Sequence, residues 1–329
     1  MLEGWGTRAY NTEISVSGQH ELAPRVSVSA GWYRRKFGNQ TVTADNRYSF
    51  AKGSYDGPFC VNAPADANLP GGGGYQVCGL YDLKPSVVAQ QLPASSTLQL
   101  SSNFGGETNI YEGFDFSTTS RFGSGAFLNA GVTMGKRIFD QCNLVNAGIV
   151  NYLGPINNAT INGLEVAEIF PDGSKACHQD LPYRPDFKLS GSYPLPLDFL
   201  ISGAFQFTRG VQTGGAAPSV QATWATAPAS ATTLGRAYSA AATTKSVNLI
   251  AVGQNYGFDN LKQLDLRLSK RFKLDRYRFR VDLDAYNIFN SDWPFTLNST
   301  FSTAATSNWL KPTNVLQARF FKIGAQFDF

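Results

Sequence analysis

Apolar and polar residues alternate with a period of two along segment after segment of this 329-residue chain, and that pattern constrains its fold most. Period two puts successive side chains on opposite faces of a strand. From Asp198 to Thr208, Phe199, Ile201, Gly203, Phe205 and Phe207 share one face, against Ser202, Ala204, Gln206 and Thr208. From Leu264 to Phe272, Leu264, Leu266, Leu268 and Phe272 oppose Asp265, Arg267, Ser269 and Arg271. From Tyr277 to Phe289, Phe279, Val281, Leu283 and Ala285 oppose Arg278, Arg280, Asp282 and Asp284. The final segment sets Phe321, Ile323, Ala325, Phe327 and Phe329 against Lys322, Gly324, Gln326 and Asp328. Weaker versions cover Thr12–His20, Arg25–Arg35, Ile110–Arg121, Gly125–Arg137 and Asp186–Tyr193. The pattern predicts an all-β, antiparallel chain of about nine strands, each roughly 9–13 residues, the length that crosses a bilayer at a tilt.

A soluble sandwich alternates too, but its strands are usually five or six residues long. Connection lengths separate the two folds. Leu22–Pro24, Phe122–Ser124, Pro194–Pro196 and Lys273–Arg276 are tight turns. Between them lie long polar stretches near 38–109, 138–184, 210–260 and 290–314. Structureless loops of that length are uncommon in compact soluble domains. Short turns at one end and long loops at the other describe an outer-membrane barrel, with turns periplasmic and loops extracellular. Trp32, Tyr33 and Phe37 close one strand, and Tyr286 and Phe289 another, as interfacial aromatic girdles do.

Composition removes other classes. No run of 18 apolar residues exists and mean hydropathy is −0.19, which excludes membrane helices but not a barrel. Lys+Arg 28 against Asp+Glu 24 is too balanced for a nucleic-acid partner. The opening MLEGWGTRAYNTEISVSG has no basic region followed by an apolar run, so it carries no secretory signal. Either the mature form is shown or Met1 is not the natural start.

Cys60 and Cys78 fall in the first long loop, Cys142 and Cys177 in the second. Local pairing within each loop is the simplest of three connectivities and fits an oxidising compartment. A metal site on Cys177, His178 and Asp180 lacks paired ligand spacing. The only histidines are His20, beside a turn on the outward face, and His178. Neither completes a nucleophile–base–acid arrangement, so no enzyme activity and no cofactor are expected. Gly71–Gly74 reads as a flexible loop, since no helix and lysine follow to make a phosphate cradle.

Asn260–Lys270 (NLKQLDLRLSK), Arg280–Asn290 (RVDLDAYNIFN), Trp309–Arg319 (WLKPTNVLQAR) and the closing Phe321–Phe329 (FKIGAQFDF) resemble TonB-dependent outer-membrane receptors of the Oar-like group, in their C-terminal part. Tyr111–Asp115 and Leu189–Pro196 are similar to the family as well. The resemblance implies a barrel of 22 strands closed around an N-terminal plug, with an energy-coupling box before the plug; neither plug nor box is visible here. It implies uptake of a bulky solute, an iron chelate or an oligosaccharide, driven through the TonB complex in a Gram-negative-type outer membrane. It also makes Phe321, Ile323, Phe327 and Phe329 the signal read by the barrel-assembly machinery, with outer-membrane lipid against that stripe. Asp265, Arg267, Arg278, Arg280, Asp282 and Asp284 face the lumen on this reading, as a wall toward plug or solute or as mutually compensating charges.

Parity adds one expectation. With nine strands, first and last run the same way and could close only by parallel pairing. Bacterial single-chain barrels are even-numbered and antiparallel, so the chain reads as the last nine strands of a larger barrel. A strand count off by one makes it a complete small passive porin. A secreted soluble β-sandwich is the remaining alternative.

Overall fold

The computed structural model describes residues 4–148, 160–161, 164–165, 168–210, 212–213, 219–220, 222–239, 244–251, 260–274 and 277–328. Nine long strands dominate: β1 (Tyr10–Ala23), β2 (Val26–Gly38), β3 (Thr108–Arg121), β4 (Phe127–Asp140), β5 (Arg184–Leu195), β6 (Phe199–Thr208), β7 (Leu261–Leu274), β8 (Tyr277–Tyr286) and β9 (Phe320–Asp328). They form one antiparallel meander in which each strand pairs with the next. The nine segments of alternating sequence are these nine strands. A short strand at His178–Asp180 extends the loop end of β4.

The turns are tight. Leu197 and Asp198 both take positive φ (63° and 59°), the combination a type I′ hairpin needs. The opposite ends connect through 39–107, 141–183, 209–260 and 287–319. Among the described residues, β1 pairs only with β2 and β9 only with β8, and both run from the loop side to the turn side.

Register sorts the sheet into two faces. Val16 stands opposite Trp32, Trp32 opposite Phe114, Phe114 opposite Met134 and Val132 opposite Phe187. The stripe continues through Phe187–Phe207, Phe205–Leu264, Leu268–Leu283 and Leu283–Ile323. This apolar face is uncovered: Val16, Phe116, Leu268, Leu283, Phe321, Ile323 and Phe327 are all exposed. An apolar surface crossing nine strands far exceeds the patches a water-soluble monomer shows. Residues of the other parity, such as Glu13, Ser29, Asp115, Lys188, Gln206, Arg267 and Asp284, make a polar face. This two-faced construction is that of a transmembrane β-barrel wall.

The hydrophobic core lies elsewhere. Phe59, Val61, Leu80, Phe170, Trp224, Val247, Leu249, Ile250, Phe301 and Trp309 pack into one buried cluster. Every member comes from the four long connections and none from the nine strands. The expectation of long polar stretches without regular structure is therefore corrected: they fold jointly into a cap. Its elements include the hairpin Tyr55–Asn62 with Gln76–Leu83 and the ladder of Thr223–Pro228 with Thr244–Asn248 and Thr300–Phe301. A sandwich buries its core between sheets; among the described residues no strand of this sheet contributes to the buried cluster.

The girdle expectation is corrected in part. Trp32 belongs to the apolar face, but Tyr33 and Tyr286 have the opposite parity and turn to the polar side. Tyr33 lies across Gly113, where an added Cβ would meet its Oη at 2.5 Å, and Tyr111 lies across Gly135 in the same way. The two rings stack with centroids 5.8 Å apart. Glycines on neighbouring strands thus make room for tyrosines that cover the bare backbone.

Candidate functional site

Two regions carry chemistry: the charged wall on β7–β8 and the loop cap. On the wall, Asp265, Arg267, Arg278, Arg280, Asp282 and Asp284 all share the polar face. Arg267 stands opposite Asp284 and holds it in a two-pronged pair, Nε to Oδ1 at 2.5 Å and Nη2 to Oδ2 at 3.0 Å. Asp282 accepts from Ser269 Oγ at 2.6 Å and from Arg280 Nε at 3.1 Å. Asp282 and Asp284 are buried among these partners. Burial makes each bond count, because a buried acceptor or donor stripped of its partner keeps its desolvation cost. Asp282→Leu is therefore expected to destabilise the wall by about 2 kcal/mol, since it leaves Ser269 and Arg280 without their acceptor. A lowered midpoint in the temperature dependence of gel mobility checks it; an unchanged midpoint means the bonds contribute nothing.

Asp265 has a different task. Its Oδ1 accepts the backbone N–H of Asn287 at 2.8 Å. Asn287 sits at φ 48°, buried, and its side chain clamps both ends of the last loop. Its Nδ2 donates to the carbonyls of Ser291 and Gln317, each at 2.8 Å, and its Oδ1 accepts from Ser291 N at 2.9 Å. Asn290 Oδ1 accepts from Arg319 N. The Asn-Ile-Phe-Asn stretch is thus a strand-end clamp, with asparagine at the positive-φ positions it tolerates best.

Beside the wall, Asn129, Lys188, Ser190, Gln206, Gln263 and Asp265 contribute the polar part of the lining of a hollow of about 360 Å³. Gln206 Nε2 donates to Gln263 Oε1 at 2.6 Å, and Gln263 Nε2 to Asp265 Oδ2 at 3.1 Å. Amides and hydroxyls in such a row suit hydrogen bonding to a polar solute.

In the cap, Arg236 ties the third long connection to the first. Its Nη1 donates to Asp82 Oδ2 at 2.6 Å and its Nη2 to Asp56 Oδ2 at 2.7 Å. Asp82 is fully buried and also accepts Ser239 N at 2.9 Å. Burial, then the charge of Asp82, pushes the neighbouring Tyr238 phenol above its ordinary pKa. The disulfides are Cys60–Cys78 and Cys142–Cys177, 18 and 35 residues apart in sequence. Cys177 is thereby taken as a disulfide partner rather than a thiolate ligand. His178 Nδ1 lies 2.8 Å from Asp140 Oδ2, and His20 stands opposite Val28 on the apolar face.

The structure places Phe321, Ile323 and Phe327 in one exposed stripe of β9; Phe329 lies outside the described residues. Sequence reading did not find Arg236, because its partners are 180 and 154 residues away. Asn287 and Asn290 carried a signal, asparagines flanking the end of an alternating run, that the strand reading absorbed.

No protein-family model and no curated protein matches the chain. Among solved structures, the outer membrane transporter YddB from Escherichia coli is similar over 98% of this chain and 33% of its own, at 10% identity and TM-score 0.44. The ferric-catecholate import receptor Fiu from K12 E. coli is similar over 97% and 27%, at 14% identity and TM-score 0.42. A Pseudomonas aeruginosa FadL homologue is similar over 97% and 66%, at 9% identity and TM-score 0.22. The chain spans about a third of the length of the first of these.

Proposed function

We propose that this chain forms part of the wall and the loop cap of an outer-membrane receptor for energy-coupled uptake of a bulky solute, an iron chelate or an oligosaccharide. One observation carries the membrane part of the reading: an uncovered apolar face running across nine strands of 9–14 residues, backed by a charged polar face. Strands of that length match the hydrocarbon thickness at a tilt, and such a face has no other solvent to meet. The receptor part rests on the cap, whose four connections share a core and so present a fixed surface at the loop side. The sequence resemblance at Asn260–Lys270, Arg280–Asn290, Trp309–Arg319 and Phe321–Phe329 supports coupling to the TonB complex through a plug, and assembly by the barrel machinery.

The edges bear on closure. β1 and β9 run in the same direction, so an all-antiparallel wall is completed by an odd number of further strands. Open edges in lipid leave backbone groups unsatisfied at several kcal/mol each.

An immunoblot of outer-membrane fractions with an antibody to the C-terminal segment tests the reading. The expected result is a species much larger than 35.7 kDa. A heat-modifiable band at that mass, with steady ion conductance in planar bilayers, would replace the receptor with a passive porin.

A further inference from the structure

The turn end of the β7–β8 hairpin carries an arrangement that strand pairing alone disfavours. Arg271 stands directly opposite Arg280, and Lys273 directly opposite Arg278. These are two successive like-charge pairs on the polar face, each costing rather than adding stability. Among the described residues, nearby anions answer them only in part. Arg280 Nε donates to Asp282 Oδ2 at 3.1 Å. Lys273 Nζ reaches Asp198 Oδ1 at 3.4 Å, with both side chains more than half exposed, a pair of little worth. Arg278 pairs with position 328 in the backbone register of β9. Arg271 has Arg280 across from it and stays exposed. Arg271, Lys273, Arg278, Arg280 and Gln326 border a hollow of about 400 Å³.

We propose that these four cations bind an acidic polypeptide segment in extended conformation, entering the wall's polar side from its turn end. The proposal rests on the reading of the polar face as the inside of a barrel. Spacing selects the ligand. Arg271 and Lys273, like Arg278 and Arg280, are two residues apart on a strand, so each couple repeats at about 6.7 Å. An extended peptide with carboxylates at alternate positions has that same repeat. The cations lie on the face opposite the exposed apolar stripe, which removes a lipid headgroup as the partner.

The test uses the full chain purified in detergent and a fluorescently labelled peptide of alternating threonine and glutamate, read by anisotropy. Binding should be at least about tenfold tighter than to the threonine–glutamine peptide and should weaken with salt. The double variant Arg271→Gln/Arg278→Gln should lose about tenfold in affinity, while Arg271→Lys/Arg278→Lys keeps most of it. Equal binding of the neutral peptide, or an unaffected double glutamine variant, overturns the proposal. So does displacement by inorganic phosphate at matched charge, or equal affinity for a peptide with its glutamates in one block. If the glutamine variant fails to show the heat-dependent gel shift, the salt series on the unaltered chain decides, and affinity indifferent to salt rejects the site. A chain that reaches the outer membrane yet ignores the acidic peptide refutes this inference alone; one that never enters the membrane refutes the reading beneath it.

Discussion

Arg236→Met should melt the loop cap while the nine-stranded sheet stays folded. Asp82 has a fully buried carboxylate whose cationic partner is Arg236. Removing one member of a buried pair strands the other charge, at a cost of about 3–5 kcal/mol. The same guanidinium also holds Asp56 and donates to the Leu83 carbonyl at 3.1 Å. The third connection would then lose its only ion pairs to the first among the described residues, keeping the hydrogen bonds of Thr233 with Cys60 and of Ser239 with Asp82 and the apolar contacts of the shared core. Limited proteolysis should cut the loops of the variant at temperatures where the parent resists, with the heat-dependent gel shift of the sheet unmoved. Arg236→Lys should fall between the two, because an ammonium lacks the planar fork that spans two carboxylates. Pairing Arg236→Met with Asp82→Leu should recover part of the loss, since no stranded charge remains. If cap and sheet unfold together in every variant, the cap is not an independent unit and the core rather than the ion network holds it.

The cap is the part of the molecule least legible in the sequence. In the sheet, side-chain parity alone decides which face a residue meets, so period two is written into every strand. Phe205 and Leu264 are found opposite one another on the apolar face, as their parity requires. Parity even held the answer where the girdle reading went astray: Tyr33 shares its face with Ser29, Gly31 and Arg35, and turns inward with them. Residue type suggested an aromatic belt; alternation pointed to the polar side. The cap has no such rule. Val61 and Leu80 in the short cap hairpin and Leu249 beyond the strand Thr244–Asn248 are fully buried, yet they share one core drawn from segments far apart in sequence. The cysteines were the exception, since each pair sits within one connection and closes locally. On the wall, the residue types were legible, but which carboxylate answers which guanidinium depends on register, as Arg267 with Asp284 illustrates.

The sign of one substitution separates a membrane wall from a water-exposed sheet. Leu283 lies mid-strand on the apolar face of β8, exposed, between Leu268 and Ile323 on its neighbours. If that face meets hydrocarbon, Leu283→Arg buries a guanidinium near the bilayer midplane and costs about 2–4 kcal/mol. Folded yield in lipid vesicles, scored by the heat-dependent gel shift and by urea midpoints, should drop sharply. If the face met water, the same change would break up an apolar patch, raise solubility and leave the fold near its parent stability. Position within the strand adds a control. Tyr277, at the turn end of the same face, should accept arginine at about 0–1 kcal/mol, because the cost falls toward the interface. Depth dependence of that kind has no counterpart in a sandwich, where burial by a second sheet sets the cost. A flat profile between Tyr277 and Leu283, with no loss at either, would remove the bilayer from the account of this fold.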